Sequence, residues 1–385
     1  MELPDYHDNS IVNLMASLTA AMGGKCTDYP PLKALPHEEI ARYKKVMLWV
    51  IDGMGHDHLL RHRPEGFLAR HVRARMTSVC PTTTASAITT FVSGKAPLQH
   101  GLTGWFTWMR ELGSVATVLP FHPRGGGAAY NDVGISLDSV LGWRSIFEAW
   151  QRPSHALIPA YIADSHFSRT TYGPAVRHGF KSLQECIDRA GELLSKDENL
   201  YLYAYWSELD RLSHMHGVAS EKVLSHLAQL DEAIEAFAAS LDEDTLLLIT
   251  ADHGLVDAPA EHTLWLHDHP PLQECLSMPL CGEPRLAFCY VHADRRDQFL
   301  DYVKTQLSEA CEVMSREEML AKGLFGLGIA HPELPHRIGD FALIMKGRWI
   351  IKDRIAGESD FHMIGVHGGL SADEMYVPLI VRGTD

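Results

Sequence analysis

Asp and His residues recur in this chain where apolar runs stop. Val46-Met47-Leu48-Trp49-Val50-Ile51 ends in Asp52, and Leu200-Tyr201-Leu202-Tyr203-Ala204-Tyr205 leads to Asp210 and His214. Leu246-Leu247-Leu248-Ile249 leads to Asp252-His253, and His367 precedes the run Val377-Pro378-Leu379-Ile380-Val381. Three carboxylates and three imidazoles are enough donors for two divalent cations of the zinc, manganese or iron kind. None of the seven Cys falls in these groups, which argues against a structural thiolate site. Asp210 and His214 are four residues apart, so on a helix they share one face. Asp252 and His253 are adjacent and converge only if the strand has ended, a turn that Gly254 permits. Taken one at a time, an Asp after a strand is more often a cap or turn residue than a ligand. The repetition at several strand ends is what singles these residues out.

A cation pair needs a nucleophile to act with, and Cys80-Pro81-Thr82-Thr83-Thr84-Ala85-Ser86 offers three hydroxyls. Coordination to a divalent ion would lower a hydroxyl's pKa and fix its direction. The stretch from Ser86 to Val92 reads as a helix ending at Ser93-Gly94. A Thr at the start of that helix would meet free N–H groups able to bind a phosphoryl oxygen. At least two of the three Thr are expected to be ordinary strand or cap residues.

The elements that position these groups are short apolar runs, which read as buried strands of a parallel sheet. Ligand sites in such sheets lie at the carboxyl ends of the strands. Asn9-Ser10 caps a predicted helix from Ile11 to Met22, and a Pro-rich connector with Pro30, Pro31 and Pro36 leads to the first strand. Phe121 to Gly134 reads as a loop or lid. Its triplet Gly125-Gly126-Gly127 lacks the Lys-Ser/Thr of a phosphate-binding P-loop. Between His253 and His367 an insertion is expected, with strands at Arg285–Val291, near Glu312–Met314 and at Asp340–Met345. Helices are expected at Arg295–Leu307 and Arg316–Ala321.

Length and charge agree with one large core plus an insertion. The chain has 385 residues, 46% hydrophobic and 22% charged, with a net charge of −15. That field repels a nucleic-acid duplex and an anionic membrane, but a local cation site can still attract a small phosphate compound. The dispersed, odd Cys count fits a reducing compartment. The start Met1-Glu2-Leu3-Pro4-Asp5 has no positive n-region, and no apolar run approaches a membrane span. A cytoplasmic location is therefore expected.

Read in order, these motifs resemble the nucleotide pyrophosphatase/phosphodiesterase branch of the alkaline phosphatase superfamily. The resemblance rests on Asp52 after a strand, Pro81-Thr82-Thr83-Thr84, and Gly94 followed by Pro97, His100 and Gly101. Asp210-x-x-x-His214-x-x-Gly217, Asp252-His253-Gly254 and His367-Gly368 complete it. It implies an alkaline-phosphatase-like α/β fold, a doubly wound and mostly parallel sheet with helices on both faces and a small α+β cap. The implied layout is a catalytic core over 1–256 and 362–385, interrupted by a cap over 257–361 above the active site. By the same resemblance Asp210, His214 and His367 would hold one zinc. Asp52, Asp252 and His253 would hold the other, which also contacts Thr84. Thr84 would attack phosphorus to give a phosphothreonine intermediate. The implied reaction is hydrolysis of a phosphodiester or pyrophosphate. A phosphonate or phosphomonoester hydrolase and a silent metal-binding protein stand as the alternatives.

One position departs from the pattern. Relatives carry an Asn shortly after the His-Gly pair, where it contacts a phosphoryl oxygen; Gly101-Leu102-Thr103-Gly104-Trp105 places Trp105 there. Its ring would offer a stacking face for a flat leaving group, unless it is buried in the core. Cys80-Pro81 lacks the Cys-x-Pro-x-Arg pattern of sulfatases.

Overall fold

A computed structural model describes residues 1–25, 28–196, 198–358 and 363–383. The expected cap boundary at Phe361 lies outside the described residues. Seven strands form the central sheet, in the order Val72–Thr77, Tyr376–Arg382, Thr245–Thr250, Lys45–Ile51, Leu200–Trp206, Ser154–Pro159, Val176–Phe180. Only Tyr376–Arg382 runs against the others, pairing antiparallel with both neighbours. Lys45–Ile51, Leu200–Trp206 and Thr245–Thr250 are buried along their whole length. That is the unbroken apolar signature of strands covered on both faces.

Helices cover the two faces. Leu48 pairs with Tyr203 and Trp49 with Ala204, so Trp49 and Tyr203 point to opposite sides. The ring of Tyr203 meets Phe91 on the helix Thr84–Ser93, and that of Trp49 meets Phe237 on the helix Glu221–Ser240. The fold is thus a doubly wound α/β sandwich.

A second, antiparallel sheet stands beside this core. It joins Cys311–Ser315, Phe341–Met345, Leu286–Cys289 and Cys281–Glu283 to Phe106–Met109, Ser114–Thr117 and His122–Pro123. The helices Arg296–Gln306 and Arg316–Ala321 pack with it, close to their predicted spans. The sheet therefore draws on two separated stretches, stitched where Gly282 pairs with Phe106. The strands from 106 to 123 are four, four and two residues long and too short to stand out as a pattern. Among the described residues no helix is long and apolar enough to cross a membrane.

Candidate active site

Strand register brings the acidic groups level. Ile51 pairs with Trp206 and Val50 with Thr250, so three neighbouring strands end together. The chain then leaves each strand at Asp52, at the helix Glu208–His216 and at Asp252. His367 arrives differently. It follows the short strand Gly365–Val366, which pairs with Val256–Asp257 and leans on the Asp210 helix through Ile364 N–H donating to His214 O at 2.8 Å.

The turn at Asp252-His253 is held by close approach. Gly254 donates to Glu374 O at 2.9 Å, and a Cβ on Gly254 would collide with the Asp373 carbonyl. Asp252 Oδ1 accepts from the N–H of Gly53 at 3.1 Å and of His253 at 3.0 Å. Asp252 is thereby turned toward the Asp52 loop.

Each histidine is oriented by a backbone carbonyl. Nδ1–H of His214 donates to Gly365 O at 2.7 Å, that of His253 to Gly254 O at 3.1 Å, and that of His367 to Thr82 O at 3.2 Å. A carbonyl only accepts, so Nδ1 carries the proton and Nε2 presents a lone pair. That is how metal-binding imidazoles are usually held. His214 Nε2 lies 3.1 Å from Asp210 Oδ2, and His253 Nε2 lies 3.4 Å from Asp52 Oδ1 and 3.5 Å from Asp252 Oδ2. The rings of His253 and His367 stack at 3.9 Å.

Three carboxylate oxygens here are buried without a hydrogen-bond partner, Asp52 Oδ1, Asp210 Oδ1 and Asp252 Oδ2. An unpaired buried oxygen of this kind is costly unless a cation satisfies it. Burial, then the charges of Asp252 and Asp210, push the Asp52 carboxyl well above its usual range. Burial also pushes Asp210 upward, but a protonated His214 beside it outweighs burial and holds Asp210 at about 2; a bound cation would replace that proton and take up the Nε2 lone pair. Burial and His253 push His367 down, which keeps its lone pair available. The donor set fits divalent cations. Asp210, His214 and His367 form one compact group of ligand atoms; Asp52, Asp210 and His253 form a second. Asp210 belongs to both, and Asp252 is in neither, though its Oδ2 lies 3.5 Å from His253 Nε2.

The three Thr hydroxyls separate cleanly. Thr82 donates to Gly369 O at 2.8 Å and Thr83 to Glu283 Oε1 at 2.7 Å, both buried. Thr84 opens the helix Thr84–Ser93, and its Oγ1 lies 3.1 Å from His253 Nε2, to which it donates. Thr83 O takes the N–H groups of Ser86 and Ala87. Those of Thr84 and Ala85 are left without an intrahelical acceptor, ready for an anion.

Asp52, Thr83, Thr84, Asp210, His214 and His367 line a cavity of about 1080 Å³ between the core and the antiparallel sheet. Trp105 is 38% exposed and lines it, so the ring is outside the core. Gly125 and Gly126 border the cavity, and Arg124 anchors that loop to Asp353 at 2.6 Å and Glu358 at 2.7 Å. Two contributors carried no sequence motif. Tyr205 donates its hydroxyl to Asp52 Oδ2 but reads as one more apolar strand residue. Glu283, from the antiparallel sheet, accepts from Thr83 and from Trp105 N–H at 2.6 Å. Burial raises Glu283 to about 7, against the lowering effect of those two hydrogen bonds.

Fold and site together define a hydrolase built for divalent cations at the carboxyl ends of a parallel sheet. Residues 46–370 match the type I phosphodiesterase / nucleotide pyrophosphatase family, and the chain belongs to it. Phosphodiester hydrolysis with divalent metals is the chemistry of that family. No curated protein sequence matches the chain. Among solved structures it is similar to murine ectonucleotide pyrophosphatase / phosphodiesterase 5, with a TM-score of 0.64, 17% identity and 88% of each chain covered. The human counterpart gives a TM-score of 0.63 at 18% identity, again over 88% of each chain. An inactive Thr-to-Ala variant of the murine protein in complex with AMP gives 0.63 at 17% identity, with the same coverage.

Proposed function

We propose that this chain cleaves small phosphodiesters or pyrophosphates with Thr84 as nucleophile at a two-cation site. The observation that carries the reading is the convergence of three oriented Nε2 lone pairs and three unpaired carboxylate oxygens beside Thr84. Asp210, His214 and His367 would hold one ion and Asp52, Asp252 and His253 the other, with Thr84 beside it. Zinc suits the mixed imidazole and carboxylate donors, and manganese or iron are the alternatives. Bound there, the ions would stabilise charge on the phosphoryl oxygens and lower the pKa of the Thr84 hydroxyl.

The chain's own groups do the rest. The free N–H groups of Thr84 and Ala85 face a phosphoryl oxygen. Thr84 Oγ1 attacks phosphorus as its proton passes to solvent, and the leaving alcohol or phosphate departs, taking a proton from water; Thr84 is left esterified to the remaining phosphoryl group with its other substituent. Water then cleaves that ester. The inactive Thr-to-Ala relative supports a Thr in this role, and its complex with AMP supports a small phosphate-containing substrate. The cavity has room for a nucleotide-sized molecule, with Trp105 as a stacking face. The second sheet, including residues within 257–361, would act as the cap over the leaving group. The six described free cysteines, all buried, support a cytoplasmic location.

Metal-loaded protein assayed with p-nitrophenyl diesters, monoesters and phosphonate esters tests the reading. Preferred diester turnover is expected. Preference for a monoester or phosphonate would transfer the protein to those hydrolases, and metal binding without any turnover would make it a silent binder.

A further inference from the structure

Glu283 ends the strand Cys281–Glu283 and is only 7% exposed. Its Oε1 accepts both the Thr83 hydroxyl at 2.7 Å and the Trp105 N–H at 2.6 Å. Its stem packs against Gly368, where any Cβ would collide with it. The carboxylate thus stands between the residue before Thr84 and the glycine after His367. Oε2 has no hydrogen-bond partner among the described residues, and Glu283 lines the cavity beside Thr84, Asp210 and His214. Oε2 is open to that cavity, the same one in which Thr84 must receive a phosphoryl group.

We propose that Glu283 is a specificity-determining residue that selects singly charged phosphodiesters against doubly charged phosphomonoesters. The proposal rests on the phosphodiesterase reading above. A diester carries one negative charge, whereas a monoester or inorganic phosphate above neutral pH carries close to two. Repulsion from a carboxylate in a low-dielectric wall acts on the additional charge. Glu283 is at the same time a positioning residue, because Oε1 ties the turn before Thr84 to the Trp105 backbone. It comes from the antiparallel sheet, so the part of the fold that covers the site also sets which phosphoryl charge it accepts.

Glu283→Gln separates the two roles. The Trp105 N–H can only donate, so the glutamine must keep its amide oxygen there. That retains the tether and places an uncharged NH2 donor on the cavity side. The measurement is the ratio of kcat/KM for p-nitrophenyl phosphate to that for bis(p-nitrophenyl) phosphate at pH 8.5, where Glu283 is ionised. It is paired with calorimetric binding of inorganic phosphate and with metal content. In Glu283→Gln the ratio should rise roughly tenfold to a hundredfold, and phosphate should bind tighter by a similar factor. Glu283→Ala, which strands Thr83 and the Trp105 N–H, should lose more kcat on both esters than Glu283→Gln does. An unshifted ratio with unshifted phosphate affinity at full metal content overturns the proposal. So does loss of metal from Glu283→Gln, which would make Glu283 a ligand. Failure of the phosphodiesterase reading looks different, because the metal-loaded wild type would then already prefer the monoester or hydrolyse neither ester.

Discussion

Arg285 and Glu374 are both fully buried, and they join the antiparallel sheet to the segment that follows His367. Arg285 Nη2 donates to Glu374 Oε2 at 2.8 Å, and Nη1 donates to Trp349 O at 2.7 Å. Glu374 also accepts from Gly369 N–H at 2.8 Å and from the Ser371 hydroxyl at 2.6 Å. Glu374→Gln leaves the guanidinium buried without its counter-charge, which should cost about 3–5 kcal/mol. Replacing both partners by apolar residues, Arg285→Met with Glu374→Leu, removes the stranded charge and should recover much of that loss. Urea denaturation reads both effects, with a midpoint drop of roughly 1 M for Glu374→Gln if m is about 3 kcal/mol/M or more. The pH dependence follows from the carboxyl. Burial pushes Glu374 up, but the Arg285 charge and the hydrogen bonds outweigh it and hold it below its ordinary 4.5. A group with a depressed folded pKa stabilises fully above its unfolded value and loses that contribution as pH falls through the folded value. The gap between wild type and Glu374→Gln should therefore be widest near neutrality and close in acid. A variant within about 1 kcal/mol of wild type, well short of the buried-pair cost, or a gap that widens in acid would refute the reasoning.

Three further outcomes follow from the site. Stripping divalent cations should lower Tm, and zinc at a hundred times its Kd should return about 2.7 kcal/mol per site; an unchanged Tm in calorimetry would contradict cation binding. Tyr205→Phe removes the donor on Asp52 Oδ2 and should weaken metal affinity about 10- to 100-fold in a chelator competition, whereas unaltered affinity would show that hydroxyl to be idle. Trp105→Ala should weaken aromatic diesters more than small alkyl ones, by about 0.5–1.5 kcal/mol, and equal effects on both would remove the stacking role.

The acidic residues were legible because parallel strands in register end together, so Asp52, Asp210 and Asp252 could be read from where apolar runs stop. His214 followed from the four-residue spacing on a helix. His367 stood out only as a histidine ahead of the apolar run 377–381, and the structure shows why nothing stronger marked it: it reaches the site on a two-residue ladder with no pattern of its own. Gly254 was expected as a turn former, and the structure adds a tighter reason in the approach of the Asp373 carbonyl. Glu283 and the strands at 106–123 were hidden as well. Glu283 lies some 178 residues from its partner Trp105, and the strands at 106–123 join the sheet at a single distant pair, Phe106 with Gly282, while their short local hairpins carry little periodicity. Tyr205 was hidden because its ring satisfies the strand pattern while its hydroxyl serves Asp52.

Thr84 is the proposed nucleophile, its hydroxyl meeting His253 while those of Thr82 and Thr83 are tied to Gly369 and Glu283. The direct measurement is turnover and metal content of Thr82→Ala, Thr83→Ala and Thr84→Ala side by side. Thr84→Ala should keep the fold and close to two metals per chain yet lose turnover by at least about a thousandfold, while the other two remain active. An active Thr84→Ala beside an inactive Thr82→Ala or Thr83→Ala would contradict the assignment of the nucleophile, and activity in all three would mean that water attacks phosphorus without a covalent intermediate.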